Sequence, residues 1–226
     1  MDLTYWIDYM NLQFWSPVQL SLTVASVSLL FVIISGVFVS RMMYQSSFKG
    51  KTIIETALLL PIVLPPTVVG FLLIMIFGVN SPVGRFIEQI FKQPVMFTWW
   101  AAVIASTVVA FPLMYQSCKT GFLSVDSEIE DAARVDGAGE WKVFLFIALP
   151  LSVKAIVSGS ILAFARALGE FGATLMFAGN IPGKTQTLPT AIYVAFESGN
   201  SSLAWSWVLL MIILSYVMLY LSSHIK

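Results

Sequence analysis

The chain has 226 residues, of which 58% are hydrophobic and 11% charged. Soluble domains carry roughly 25% charged residues to cover their surface, so a water-soluble globule is excluded and the composition is that of a membrane protein. Twelve basic and twelve acidic residues cancel, which excludes a nucleic-acid footprint built on bulk positive charge.

Residues 1–15 carry Asp2 and Asp8 and no basic residue. They lack the positive start of a cleavable signal peptide, so the segment is expected to stay on the mature protein. It is too polar and too short to span, and reads as a surface helix or a sixth helix. A bilayer core about 30 Å thick needs about 20 apolar residues in a helix. Five stretches meet that need: Val18–Val39, Ile53–Phe77, Val95–Cys118, Val153–Phe177 and Leu203–Leu221. Ser16-Pro17 is the expected start of the first, with proline pre-set for a first helical turn.

The second stretch contains Pro61, Pro65 and Pro66. Each proline removes a backbone donor, so a kinked or broken helix is expected. Such irregularity survives at membrane depth only where it packs in protein or lines a cavity. Two readings stand: a kink at a helix–helix contact, or a break lining a pore.

With the N-terminus outside, the inner loops and tail hold Arg41, Lys49, Lys51, Lys119, Arg134, Lys142, Lys154 and Lys226. The outer loops hold Arg85, Lys92 and Lys184. This asymmetry satisfies the positive-inside tendency and places the C-terminus in the cytoplasm.

The loop of residues 119–150, between the third and fourth stretches, is the most informative. Ser127 with Glu130 three residues on predicts a capping box opening a short helix. Asp126, Glu128, Glu130 and Asp131 crowd its first turn, where the helix dipole favours negative charge. Gly137 and Gly139 predict its end. A second amphipathic piece covers 140–149, and Pro150 is expected to break it before the fourth stretch. Ala132 and Ala133 give the first helix a small surface that a partner's backbone could approach closely. Without further information the loop is equally a helix lying on the bilayer.

Asp131-Ala132-Ala133, then Gly137, Ile147 and Leu149-Pro150 resemble the cytoplasmic loop of permease subunits of prokaryotic ABC importers. That family carries Glu-Ala-Ala, three residues, Gly, nine residues, Ile, any residue and Leu-Pro. The one departure is Asp131 for Glu, which keeps the charge on a shorter side chain. The resemblance implies a coupling helix that docks in a cleft of a cytoplasmic ATPase. Glu130, Asp131, Ala132, Ala133 and Gly137 would serve that contact, and Ile147, Leu149 and Pro150 would shape the return to the membrane. The chain has no Gly-x-x-x-x-Gly-Lys-Ser/Thr phosphate loop, so energy has to arrive from another chain.

Arg166 and Glu170 fall inside the fourth stretch. An isolated charge at mid-bilayer costs about 2.5–3.5 kcal/mol on insertion scales. Four residues apart on a helix, the two share a face and can pair. Gly169 and Gly172 flank them and permit close helix approach. In one reading the pair fixes packing. In the other, Arg166 lends positive potential to an oxyanion path and Glu170 belongs to a gate; intramembrane ionisable groups are functional candidates. Beyond this stretch, 180–183 has turn composition, and 190–196 is expected to form a short helix that cannot cross.

Phe164–Thr174, Asn180–Pro189 and Leu64–Gly70 resemble the molybdate branch of the permease family, with sulfate permeases close behind. The expectation is therefore an all-α polytopic protein, one domain over 1–226, with five transmembrane helices in the MetI-like importer fold. Pro65, Pro66, Arg166, Glu170 and Gly172 are its candidate pathway or gate residues. The resemblance implies a homodimer forming the path, two ATPase subunits below, and a periplasmic or lipid-anchored oxyanion-binding protein above. ATP and magnesium would sit on the ATPase, and this chain would bind no cofactor. Cys118 and His224 stand alone, which gives metal or covalent chemistry little to work with; no catalytic and no metal-ligating residue is expected. Tungstate, sulfate or thiosulfate as cargo, a gradient-driven secondary transporter, and a membrane-embedded enzyme remain alternatives.

Overall fold

The computed structural model describes residues 3–224, with side chains from residue 13 to 224; Lys226 lies outside them. Among the described residues all regular structure is helical: α1 (Leu3–Gln45), α2 (Lys51–Val63), α3 (Pro66–Phe77), α4 (Pro82–Phe91), α5 (Trp99–Leu123), α6 (Ser127–Val135), α7 (Glu140–Val143), a π turn (Phe144–Ala148), α8 (Leu149–Leu151), α9 (Val153–Leu168), α10 (Gly172–Ala178), α11 (Leu188–Glu197) and α12 (Ser201–Ser223).

Among the described residues, three helices are long and apolar enough to cross a bilayer alone: Gln13–Gln45 of α1, α5 and α12. Counting each of two bent pairs as one span brings the number to five. The pairs are α2 with α3, bent by 118°, and Glu140–Leu151 with α9, bent by 70°.

The core forms where α1, α5 and α9 pack side by side. Ala101, Ala102, Ala105 and Ala110 give α5 a fully buried face of small side chains, against which Val24, Ala25 and Val32 of α1 pack. A Cβ on Gly159 of α9 would stand 2.5 Å from the Cβ of Ser117. This is the close approach by small residues that substitutes for hydrophobic driving force in lipid. Many large apolar side chains point outward, among them Ile34, Trp205, Ile213 and Tyr216, as a chain solvated by lipid allows.

Several expectations need correction. Residues 3–15 form neither a separate surface helix nor a sixth span: α1 begins at Leu3 and runs unbroken through Pro17. Pro17 therefore sits inside a helix, and beside it the indole of Trp207 donates to the carbonyl of Phe14 at 3.0 Å, fastening α12 to this end of α1. The third span starts four residues later than expected, because Thr98 caps it by accepting from the Ala101 amide at 3.3 Å. The stretch 153–177 is not one helix: α9 ends at Leu168, and α10 starts only at Gly172. At 1.5 Å per residue α9 is about 24 Å long, short of the bilayer core. The turn at 180–183 is borne out, its Ile181 carbonyl accepting from the Lys184, Thr185 and Gln186 amides. The short helix beyond it is α11.

Candidate functional sites

The loop after α5 folds as two short helices joined by a tight bend. The N-cap of α6 is Asp126, which accepts from the Glu128 amide at 3.0 Å; Ser127 and Glu130 make no capping box. The carboxylate of Glu130 is engaged elsewhere. Both its oxygens accept from the Arg41 guanidinium at the end of α1, at 2.8 and 3.0 Å, and both side chains are about 5% exposed. Aromatic rings of Tyr44, Phe122 and Phe144 surround that guanidinium, with centroids 5.5 to 5.9 Å away. Arg134 adds a second cation. It donates to Glu130 at 2.9 Å, to Asp131 at 2.7 Å and to Glu140 at 2.7 Å. Gln45, one turn beyond Arg41, donates to Glu140 at 2.9 Å.

Hydrogen bonds from Arg41 hold the Glu130 carboxyl below the usual carboxylate range, although burial works in the other direction. Arg134 lowers Glu140 in the same way. Both carboxylates are therefore ionised at neutral pH.

The helix stop is borne out in detail at Gly137. Its φ of +88° closes a Schellman turn: the Gly137 amide bonds the Arg134 carbonyl at 3.0 Å and the Ala138 amide the Ala133 carbonyl at 2.9 Å. Gly139 does not end α6; it is the N-cap of α7. Nor does Pro150 break the second piece. The Leu149 amide reaches back five residues to the Phe144 carbonyl, a π turn that carries the chain into Pro150. The 70° bend falls at Ser152.

What the loop presents outward is Ile129, Asp131, Ala132, Val135, Gly137 and Trp141, with Val135 87% exposed. Ala133 is half-buried, as are Ile147 and Leu149 on the return, while Pro150 is exposed.

A second site forms where two broken helices meet. Pro65 and Pro66 open α3 just after the 118° bend, which is a break rather than a kink. Gly172 opens α10, and a Cβ there would stand 2.9 Å from the Cβ of Pro66. Between them lies a cleft of about 310 Å³ lined by Pro66, Thr67, Arg166, Glu170, Phe171 and Gly172 among others. Pro65 adjoins it as the N-cap of α3. Glu170 is 1% exposed and serves two elements. One oxygen accepts from the Ala173 amide at 2.8 Å, satisfying a donor at the start of α10. The other meets Arg166 at 2.7 Å as an ion pair without hydrogen-bond alignment. Arg166 keeps 30% of its side chain exposed, on the cleft. Gly169 makes no close approach to another helix; it is an exposed residue of the break.

Sequence spacing gave no special place to Arg41, Gln45 or Glu140, or to the Glu55–Lys119 pair at 2.9 Å between α2 and α5. Only positive charge after an apolar run marks Arg41. Residues 178–185, Ala-Gly-Asn-Ile-Pro-Gly-Lys-Thr, come near a phosphate-loop pattern. They lie between two helices, however, and the Thr185 hydroxyl accepts from the Ile181 amide at 3.0 Å in a turn of its own.

A helical membrane bundle with a clamped loop at one end and two broken helices meeting in a cleft has the architecture of a transport permease. The chain belongs to the family of binding-protein-dependent transport system inner membrane components, whose model matches residues 32–225. It is thus a multi-pass subunit of a membrane transport system. It is 62% identical over 214 residues, 95% of this chain and 94% of the other, to YvgM of Bacillus subtilis (strain 168), named as a putative molybdenum transport system permease. It is 41% identical over 210 residues, 92% of each chain, to ModB of Escherichia coli (strain K12), a molybdenum transport system permease. Its fold matches a chain of the inward-facing MetNI methionine ABC transporter with a TM-score of 0.73 at 17% identity, over 100% of this chain and 97% of that one. A chain of a bacterial alginate ABC transporter, in complex with a pentasaccharide-bound periplasmic protein, matches at 0.73 and 19% identity, over 94% and 77%.

Proposed function

We propose that this chain is the permease subunit of an ATP-driven importer of molybdate. Two copies form the path, an ATPase dimer docks beneath, and a periplasmic or lipid-anchored binding protein delivers the oxyanion above. The observation that carries the reading is the α6 loop. Its Asp131, Ala132 and Gly137 stand exposed outside the bundle while Glu130 ties its base to Arg41. A docked partner can therefore push on it without unfolding it.

In this reading ATP and magnesium stay on the ATPase, and this chain contributes mechanics and a path. The basic residues Arg41, Lys49, Lys51, Lys119, Arg134, Lys142 and Lys154 lie on the cytoplasmic side, with the C-terminus, and the N-terminus is outside. Arg166 supplies positive potential to the cleft. There the low dielectric strengthens its attraction for a divalent oxyanion, while Glu170 tempers it so that the anion is not trapped. Pro65, Pro66 and Gly172 hold the breaks that open and close the path. Molybdate as cargo draws support from the names of the two relatives.

The test is ATP-dependent uptake of radiolabelled molybdate into proteoliposomes holding this chain, its ATPase and its binding protein, with tungstate and sulfate as competitors. Uptake that needs ATP and is blocked by excess unlabelled molybdate supports the reading. Uptake that follows an ion gradient without ATP refutes the importer, and sulfate outcompeting molybdate refutes the cargo.

A further inference from the structure

The loop of α6 and α7 is joined by peptide bonds to α5 and, through the bend at Ser152, to α9. Its attachment to α1 is entirely non-covalent, and a buried ion pair lies at its centre. Arg41 and Glu130 meet in a two-point contact at 2.8 and 3.0 Å with both side chains buried, and Gln45 meets Glu140 one turn further on. A buried ion pair is a poor source of stability, since an apolar pair of the same volume often holds two elements as well. What a two-point guanidinium–carboxylate contact adds is register, because its planar geometry admits one alignment.

The middle of α1 is held just as specifically. Ser21, twenty residues and about 30 Å from Arg41, accepts from the amide of Leu188, the first residue of α11, at 2.6 Å. Val18 packs with Leu188, Ala191 and Ala195. Further along α11, the ring of Tyr193 lies 5.5 Å from that of Phe171, in the break between α9 and α10 beside Glu170. A continuous set of contacts thus runs from the loop, along one unbroken helix, to the wall of the cleft.

We infer that Arg41 and Glu130 are positioning residues whose contact makes α1 move in register with the coupling loop, so that α1 carries the stroke to α11 and the cleft. The inference rests on the proposed importer function and adds a direct route: without the joint, loop movement reaches α1 only indirectly, through its packing on α5 and α9. Neither residue lines the cleft of Arg166 and Glu170.

The experiment uses the complete complex in proteoliposomes. It compares wild type with Glu130→Gln and Arg41→Met, reading molybdate taken up per ATP hydrolysed, normalised to the ATPase that co-purifies. The joint predicts a fall in that ratio by about tenfold, within the usual range of coupling between sites, while hydrolysis per ATPase continues. A further variant guards against simple misfolding. Gln45→Cys with Glu140→Cys, bridged by a short thiol cross-linker in the Glu130→Gln background, replaces the joint with a covalent tether. Cys118, the one native cysteine, is buried and leaves the reagent to the engineered pair. Restoration of the ratio by the tether supports the joint. An unchanged ratio in Glu130→Gln, or a lowered ratio that the tether leaves low, overturns it. Failure of the wild-type complex to take up molybdate with ATP would instead refute the importer reading on which the joint rests.

Discussion

Pro66 and Gly172 touch so closely that the smallest side chain on Gly172 would stand 2.9 Å from the proline ring. This contact seats the break before α3 against the break before α10. A proline ring cannot swing aside, so the crowding has to be relieved by backbone movement. Gly172→Ala is expected to destabilise by about 1–3 kcal/mol, the usual cost of overpacking, and Gly172→Val by more. Thermal unfolding of the detergent-purified protein checks this. An unchanged midpoint for the valine variant would contradict the packing.

Glu170 links two elements through its two oxygens, so its replacements separate by chemistry. Glu170→Gln keeps an acceptor for the Ala173 amide and loses only the charge. Glu170→Ala strands both that amide and Arg166, which costs about 2 kcal/mol or more for an unmet charged partner. The order of stability expected is wild type, then Gln, then Ala. The Arg166→Met/Glu170→Leu double variant, which strands no charge, should lie above Glu170→Ala. If it folds like wild type yet takes up molybdate about tenfold more slowly or worse, Arg166 acts on the anion; wild-type uptake would leave the pair a purely structural one.

At Gly137 the backbone is left-handed and the space around it is open. Within this chain, the cost of substitution is therefore conformational. Asn, which tolerates this region, should be nearly neutral. Ala should cost about 1 kcal/mol and a β-branched residue more. ATPase co-purification should fall in the order Gly, Asn, Ala, Val. Equal loss for Asn and Val would mean that any side chain here blocks docking.

Glu130 and Glu140 have carboxyls held below the ordinary value by Arg41 and Arg134, and the sign of the pH effect follows. A depressed folded-state value contributes stability that is fully present above the unfolded value near 4.3 and is lost as pH falls through the folded value. Loop protection should stay flat from about pH 8 to 5 and decline only below about pH 4. Hydrogen exchange of α6 amides measures it; a decline between pH 7 and 6 would show that these carboxylates do not hold the loop.

Local chemistry made part of this legible in the sequence. Gly137 stops a helix because of its own backbone, and Pro65-Pro66 break one because of theirs. The loop motif needs no knowledge of neighbours. The rest depends on contacts between distant positions. Ser127 and Glu130 have capping-box spacing, but Arg41, 89 residues away, claims the carboxylate, and Asp126 caps in its place. The run 153–177 is apolar enough for one span, yet hydropathy cannot register that Glu170 leaves α9 to satisfy the start of α10. Nor does the proline pattern before α3 give the 118° of its bend, which is set by packing of α3 on α10 and α5.

In the importer reading, α6 receives force from an ATPase. A photo-activatable residue at Ala132, which is exposed beside the buried joint, tests it most directly in intact cells. A cross-linked product between this chain and its ATPase, strengthened or weakened by trapping the nucleotide state, is the result expected. A product formed only with lipid, in cells that contain the ATPase, would contradict it.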